Sequence, residues 1–523
     1  MNEKIGIPAS GIEEQKIIMR HIRESFESLQ TPPLAYVDTY GCQQNEADSE
    51  KLRGMLSEMG YVITNDEYVA DVVVINTCAI RENAENRVLG NVGELIHTKK
   101  AKPSQIIAFC GCLAGVPETV EKVRQSYRHV DLVFTPGNIP RFPELLRRKL
   151  SAKGRIFETE IEDGEIAEGI PLLRDGNVKA WLPIMYGCDN YCTYCIVPYV
   201  RGRERSRSPA AVIGEARTLV ENGYKDITLL GQNVNSYGAG LAEKTNFAAL
   251  IRQINDIDGE FLIRFMTSHP KDASVELFRA MAESGKAARH IHLPFQAGND
   301  RILELMNRGY THAGYLEKVA AARELMPDIV ITSDVIVGFP GETDREFEDT
   351  LRLVEKARFD AMFTFIYSKR PGTPAAELPD TVTRGQKQLR FERLIELQNR
   401  ISDEKHARYV GGTFRVLVDE KTQDEQPATS QPRLPPDGAV CRSTGNTTGQ
   451  GATDFNSDYS AAAANPDSAN PNAGSGAAGR YTLKARTNGG RLVHLRGGAD
   501  LVGTFVSARI THCNSWSLFG EVL

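Results

Sequence analysis

The chain has no apolar run approaching the roughly 20 residues needed to span a bilayer. Its first residues, "MNEKIGIPASGIEEQKIIMR", contain no signal-peptide core. These absences exclude a helical membrane protein and set the expectation of a cytoplasmic one. An excess of basic charge is also missing: the formal net charge is -6 over 523 residues. An acidic polymer would therefore have to be met by local basic patches. Two C-x2-C pairs of the kind that close a structural zinc site are absent as well.

Nine cysteines are present. In a reducing compartment, clustered thiols point to metal ligation or catalysis rather than a disulfide framework. Cys188, Cys192 and Cys195 crowd into "CDNYCTYC", Cys42, Cys78 and Cys112 are widely spaced, and Cys110, Cys441 and Cys513 remain. The length calls for about three domains.

Residues 1–32 read as a helical or loose extension. From 33 to 150, strands alternate with helices. "PLAYVDTY" ends at Gly41-Cys42, "DVVVINT" ends at Cys78, and "SQIIAFCG" ends at Cys112. The carboxyl ends of parallel strands share one edge, where ligands bind, so three distant cysteines can converge. Cys110 reads as a small buried core residue.

After a linker over 151–179, residues 180–407 hold six further β-α units. They predict an incomplete (β/α)6 barrel of parallel strands. Ser208-Pro209 and the Thr343/Glu346 pair are helix-start signals within it. From 408 to 523, short strands and turn glycines predict a small antiparallel β-barrel. The stretch about 422–479, with "SAAAANPDSANPNAGSGAAG", reads as a flexible insertion with too little apolar material to order itself.

C-x3-C-x2-C supplies three thiolates on one loop. Iron–sulfur clusters are held by cysteine thiolates, and three ligands leave one of four irons open. The competing reading is a zinc site completed by His269 or His292. "RGRERSRS" offers Arg201, Arg203, Arg205 and Arg207 to phosphates if the segment is extended, or else a solvated charged loop. "VIVGFPGET" puts Gly338 and Gly341 in a turn whose amides can approach a ligand, and "YSKRPGTPAA" offers Tyr367, Lys369 and Arg370. Gln232 and Asn233 end the second barrel strand, and His292 and Gln296 flank the fourth. Each is a candidate pocket residue or a satisfied loop group. Arg486, Arg491 and Arg496 of the β-barrel are candidates for RNA affinity, and His494 and His512 read as ordinary strand residues.

"CDNYCTYC", with aromatic Tyr194 before its last cysteine, resembles the radical S-adenosylmethionine signature. "TYGCQQNEADSE", "NTCAIRENAENRV" and "CGCLAG" resemble the N-terminal domain of methylthiotransferases, and the C-terminal barrel resembles a TRAM domain. The resemblance covers nearly the whole chain. It is closest to the branch that methylthiolates N6-dimethylallyladenosine beside the tRNA anticodon, through "LLGQNVNSYG" and "YSKRPGTPAA" among others. The branch acting on N6-threonylcarbamoyladenosine is the alternative. A non-enzymatic RNA-binding protein with structural metal sites is the alternative of another class. Gln44 stands where the family usually has Met, and Gln296-Ala297-Gly298-Asn299 where it has Gln-Ser-Gly-Ser.

The resemblance implies two [4Fe-4S] clusters. Cys188, Cys192 and Cys195 hold one, whose open iron chelates S-adenosylmethionine for cleavage to a 5'-deoxyadenosyl radical. Cys42, Cys78 and Cys112 hold an auxiliary cluster carrying the sulfur, and each turnover uses two S-adenosylmethionine, one for the radical and one to methylate that sulfur. Cofactor contacts are expected from Tyr194, Gln232, His292, Gln296 and Gly338, and RNA contacts from Arg201, Arg203, Arg205, Arg207 and Arg370. A tRNA substrate, an electron donor such as flavodoxin or ferredoxin, a sulfur-delivery protein, no membrane and a monomeric chain complete the expectation. Cys42→Ala is expected to leave 5'-deoxyadenosine formation intact and abolish methylthio product, both read by mass spectrometry of one reaction.

Overall fold

The computed structural model describes residues 9–79, 82–160, 166–422 and 481–523. The N-terminal sheet has six parallel strands in the order β2-β1-β3-β4-β5-β6. They are β1 (Leu34–Thr39), β2 (Val62–Ile63), β3 (Val72–Thr77), β4 (Ile106–Gly111), β5 (Leu132–Phe134) and β6 (Ile156–Glu158). Central β3 and β4 are buried along their whole length, as "VVVINT" and "IIAFCG" require of strands covered on both faces.

Helix α1 (Ala9–Ser25), α2 (Gln43–Glu58) and α5 (Phe142–Ser151) cover one face, through Ile18, Ile22, Leu52, Leu56 and Leu145. Helix α3 (Glu82–Ala101) and α4 (Pro117–Ser126) cover the other, through Val88, Val92 and Val123. The first 32 residues therefore include a helix that belongs to this domain's core rather than standing off as an extension. Cys110 is fully buried in the α2-side core. The segment expected as a linker begins with edge strand β6. It continues against α2, where Leu173 N donates to Glu50 O at 3.0 Å.

The chain leaves β1 for β2 on one side and returns to β3 on the other. The helices that follow β1 and β3 thus lie on opposite faces. Their divergence opens a crevice at the strand carboxyl ends, a topological switch point.

The central domain has six parallel strands in two groups of three. β11 (Leu262–Phe265), β10 (Asp226–Leu230) and β7 (Lys179–Pro183) form one; β12 (His290–His292), β13 (Val330–Val337) and β14 (Ala361–Ile366) form the other. A single parallel bridge, Ile263 to Ala287, joins the groups. The barrel is open between β7 and β14. Helices α7 (Pro209–Glu221), α8 (Phe247–Asn255), α9 (Val275–Glu283), α10 (Asp300–Leu305), α11 (His312–Leu325), α12 (Asp344–Ala357) and α13 (Arg384–Ala407) surround it. Ser208 Oγ caps α7 by accepting from Ala211 N at 3.3 Å, and Thr343 and Glu346 form the capping box of α12.

The C-terminal barrel closes in the order β15-β16-β17-β19-β18: β15 (Thr413–Thr422), β16 (Tyr481–Thr487), β17 (Leu492–Gly497), β18 (Phe505–Cys513) and β19 (Leu518–Val522). Its pairs are antiparallel except β17 with β19, which run parallel. The expected flexible insertion, about 422–479, and Cys441 lie outside the described residues.

Buried ion pairs dock this barrel onto the central domain. Arg491 reaches Asp360 and His406, Lys179 reaches Asp419, and Arg264 joins Asp226 (2.8 Å) to the carbonyl oxygens of Thr487 (3.2 Å) and Asn488 (3.0 Å). Arg486 is buried against Asp419 at 3.2 Å. The expectation that Arg486 and Arg491 supply RNA affinity is therefore corrected, because both charges are spent inside the protein. Arg496 alone of the three is exposed.

Breaking a buried pair from one side strands the other charge. Asp360→Ala leaves Arg491 and Lys405 without their carboxylate. It is expected to lower stability by about 3–5 kcal/mol, read as the shift of the urea denaturation midpoint.

Candidate functional site

Cys42 stands three residues beyond β1 as the N-cap of α2, Cys78 directly follows β3, and Cys112 directly follows β4. Three adjacent strands thus deliver one thiol each to the switch-point crevice. The turn before Cys112 requires glycine. Gly111 has φ +92°, and a Cβ there would lie 2.4 Å from Thr77 O. The Cys42 thiol is drawn down to about 6, first by its hydrogen bond with Cys78, then by Arg201 and the amides of Asn45 and Gln44. Burial pushes the Cys112 thiol up, against the pull of Arg201.

Cys188, Cys192 and Cys195 lie on the loop between short strand β8 (Met185–Tyr186) and helix α6 (Val197–Arg201). β8 pairs antiparallel with β9 (Arg205–Ser206), closing the loop's base. Gly187, at φ +74°, is needed there because a Cβ would meet Arg203 O at 1.9 Å. Burial pushes the Cys188 thiol up to about 11 and that of Cys195 to about 12.

Arg308, not anticipated from the sequence, lies buried against this loop. Its Nη1 donates to Cys192 Sγ and to the Tyr194 hydroxyl, both at 3.3 Å; its Nη2 donates to Pro294 O at 2.9 Å. It is held between Asn307 (φ +56°) and Gly309 (φ +66°), and Asn307 Nδ2 donates to Tyr191 O at 3.0 Å. His269 Nε2 lies 4.0 Å from Cys192 Sγ. Burial, then Arg308 and Lys271, push this imidazole down to about 2, so it stays neutral.

Beyond the loop, three consecutive strands end in buried polar atoms with no protein partner: Gln232 Oε1 after β10, Ser268 Oγ after β11 and Gln296 Oε1 after β12. Such atoms are costly unless a ligand satisfies them. Thr267 (φ +66°), Gln296 (φ +65°) and Tyr191 (φ +44°) hold left-handed conformations at the same mouth, the kind of strain that collects at ligand sites. His292 is buried beneath, 3.0 Å from Thr332 Oγ1 and 3.4 Å from Asp334. Below the mouth, a cleft inside the open barrel is lined by Met266, His290, Thr332 and Met362, with Gln43 of α2 and Arg491 also on its wall.

Several expected contacts are corrected. Gly338 donates its amide to Glu342 Oε2 at 2.8 Å and packs against Lys387, so it holds no amide for a cofactor. "RGRERSRS" is not one extended row, because it begins in α6 and turns into β9. Arg201 points into the crevice and is buried. Arg207 is buried too, on Glu168 (2.7 Å) and Glu215 (2.8 Å). Neither can meet a phosphate from that position. Arg205 is half-buried, and Arg203 is exposed with a bidentate pair to Asp189 at 2.8 and 3.0 Å. Arg370 is half-buried, 3.9 Å from Glu85 of α3.

The donor sets suit a cluster. Each triad offers three thiols beside a guanidinium cation. A cubane takes its thiolates on separate irons. The amide oxygens of Gln232 and Gln296 and the Ser268 hydroxyl at the barrel mouth suit the amino and hydroxyl donors of S-adenosylmethionine.

Residues 182–354 match the Radical SAM superfamily, residues 34–135 match the uncharacterized protein family UPF0004, and residues 482–523 match the TRAM domain. The radical S-adenosylmethionine methyltransferase TsrM from Kitasatospora setae shares the fold. Its TM-score is 0.51 at 15% identity, over 66% of this chain and 75% of that one. The protein is thus a radical S-adenosylmethionine enzyme, with a [4Fe-4S] cluster and S-adenosylmethionine implied.

It is 45% identical to the tRNA-2-methylthio-N(6)-dimethylallyladenosine synthase of Acetivibrio thermocellus, over 93% of this chain and 90% of the relative. With the protein of the same name from Thermoanaerobacter sp. it shares 43% identity, over 100% and 99%. The chain belongs to this family of methylthiotransferases. No helix among the described residues is long and apolar enough to cross a membrane.

Ser268, Arg308 and an aromatic stack escaped the sequence reading because nothing local marks them. Arg308 lies 113 positions after Cys195. His494 and His512 sandwich Phe519, with centroids 5.0 and 4.4 Å apart and rings nearly parallel; the strand pattern that placed them gives no hint of the stack. Arg308→Lys keeps the charge but not the fork. It is expected to cut S-adenosylmethionine cleavage about tenfold or more, measured as 5'-deoxyadenosine formed at unchanged iron content.

Proposed function

We propose that the protein methylthiolates N6-dimethylallyladenosine in tRNA, beside the anticodon, giving the 2-methylthio derivative. Cys188, Cys192 and Cys195 hold the radical-generating cluster, and Cys42, Cys78 and Cys112 a second cluster that presents the sulfur. The observation that carries this reading is the pairing of two three-thiol sites, one at a barrel mouth and one at a switch point, joined by helix α6 (Val197–Arg201). When bound, these groups would supply reductive cleavage of one S-adenosylmethionine, removal of hydrogen from an unreactive ring C–H, and the sulfur that replaces it, with a second S-adenosylmethionine as donor of the methyl group on that sulfur. A side-chain base does not suffice, since a proton on an aromatic ring carbon lies far outside the range a carboxylate or imidazole can take.

The chain's own residues bind, orient and exclude water. Arg308 holds the Cys192 side of the loop and the Tyr194 ring. Gln232, Ser268 and Gln296 offer unspent oxygens to the cofactor. Met266 and Met362 give the cleft an apolar wall, shielding a reactive intermediate from water. The His494–Phe519–His512 stack offers ring faces to unpaired bases, a sequence-tolerant mode of RNA contact. A flavodoxin or ferredoxin as electron donor, a sulfur-delivery protein, and action in the cytoplasm as a monomer complete the proposal.

The test is nucleoside mass spectrometry of tRNA from a deletion strain. Loss of 2-methylthio on dimethylallyladenosine, restored by the gene, is the expected result. Loss confined to the threonylcarbamoyl derivative would assign the enzyme to the other branch.

A further inference from the structure

Arg201 belongs to the radical domain by sequence and to the N-terminal domain by contact. It ends α6, six positions after Cys195. Its guanidinium reaches across the domain boundary: Nε donates to Cys112 Sγ at 3.2 Å, Nη1 to Asp48 Oδ2 at 3.0 Å and Nη2 to Asn45 Oδ1 at 3.2 Å. Asn45 also accepts from Cys42 Sγ at 3.3 Å, and its amide donates to Thr77 O, the carbonyl before Cys78, at 2.7 Å. One side chain therefore touches the surroundings of all three thiols, directly or through a single residue. The helix that carries it is packed in place, with Ile196 and Val200 in the same core as Cys112 and Leu113. A Cβ on Gly115 would press on Val200 at 3.1 Å. The side chains of Arg201 and Asp48 are each only 5% exposed.

We propose that Arg201 is the positioning residue of the second cluster: it ties Cys112 and the start of α2 to the radical loop, and by donating to a ligating sulfur it raises that cluster's reduction potential. The inference rests on the reading of Cys42, Cys78 and Cys112 as cluster ligands. Hydrogen bonds to the sulfurs, net charge and exposure set iron–sulfur potentials. A fixed cation beside a cluster favours its more negative, reduced state. Lysine keeps the charge but cannot serve three acceptors held in a planar fork.

The experiment uses full-length protein, reconstituted anaerobically with iron and sulfide, in two backgrounds. Cys188→Ala/Cys192→Ala/Cys195→Ala isolates the second cluster, and Cys42→Ala/Cys78→Ala/Cys112→Ala isolates the radical cluster. Each is examined with and without Arg201→Gln or Arg201→Lys by redox titration followed by electron paramagnetic resonance. The expected result is a more negative midpoint in the first background for Arg201→Gln, a smaller shift for Arg201→Lys, and no shift in the second. With all six cysteines present, Arg201→Gln is expected to form about tenfold less methylthio product per 5'-deoxyadenosine. Loss of iron from Arg201→Gln in the first background, with a lowered midpoint in Arg201→Lys, supports the same role. An unchanged midpoint at full iron content in the first background, or equal shifts in both, overturns it. Failure of the first background to take up iron with Arg201 intact would instead overturn the two-cluster reading beneath it.

Discussion

A guanidinium carried by one domain and buried against another must find its partners there, and Arg201 does so. It leaves the radical domain on α6 and finds Asp48, Asn45 and Cys112 in the N-terminal domain. Withdrawing such a charge from water is repaid only by good geometry and satisfied donors. The contact therefore tolerates little sliding of one domain against the other. It ties α6, and the cysteine loop that precedes α6, to the crevice opposite.

The same device recurs. Arg207 binds Glu168 and Glu215 between the inter-domain segment and α7, Arg264 and Arg491 clamp the C-terminal barrel, and Arg308 holds the cysteine loop from the far side. Five donors in a planar fork suit arginine to this task. These arginines are spent inside the protein and contribute nothing to an outward basic face. Arg203 and Arg496 are among the arginines that remain exposed.

Periodicity and punctuation made most of the architecture legible. A run such as "VVVINT" buries on both faces wherever it sits, so its end could be located, and Cys78 with it. Ser208 and the Thr343/Glu346 pair cap helices through contacts within four residues, although the Glu346 carboxylate also accepts from distant Arg301. The edge strand β6 and the packing of α1 were not legible in that way. Each depends on a neighbouring surface that local pattern does not describe.

Thiol spacing on one loop, and the strand that precedes each isolated cysteine, are properties of short segments. The residue order alone therefore grouped six sulfurs into two sets and pointed to three domains around them. The fate of each charge was another matter. Arg201 and Arg203 are two positions apart in a uniform basic run, yet one is buried on a thiol and the other faces solvent. That difference arises only when α6 turns its last residue into a crevice built from strands about 90 to 160 positions earlier, a long-range packing event that no local pattern encodes.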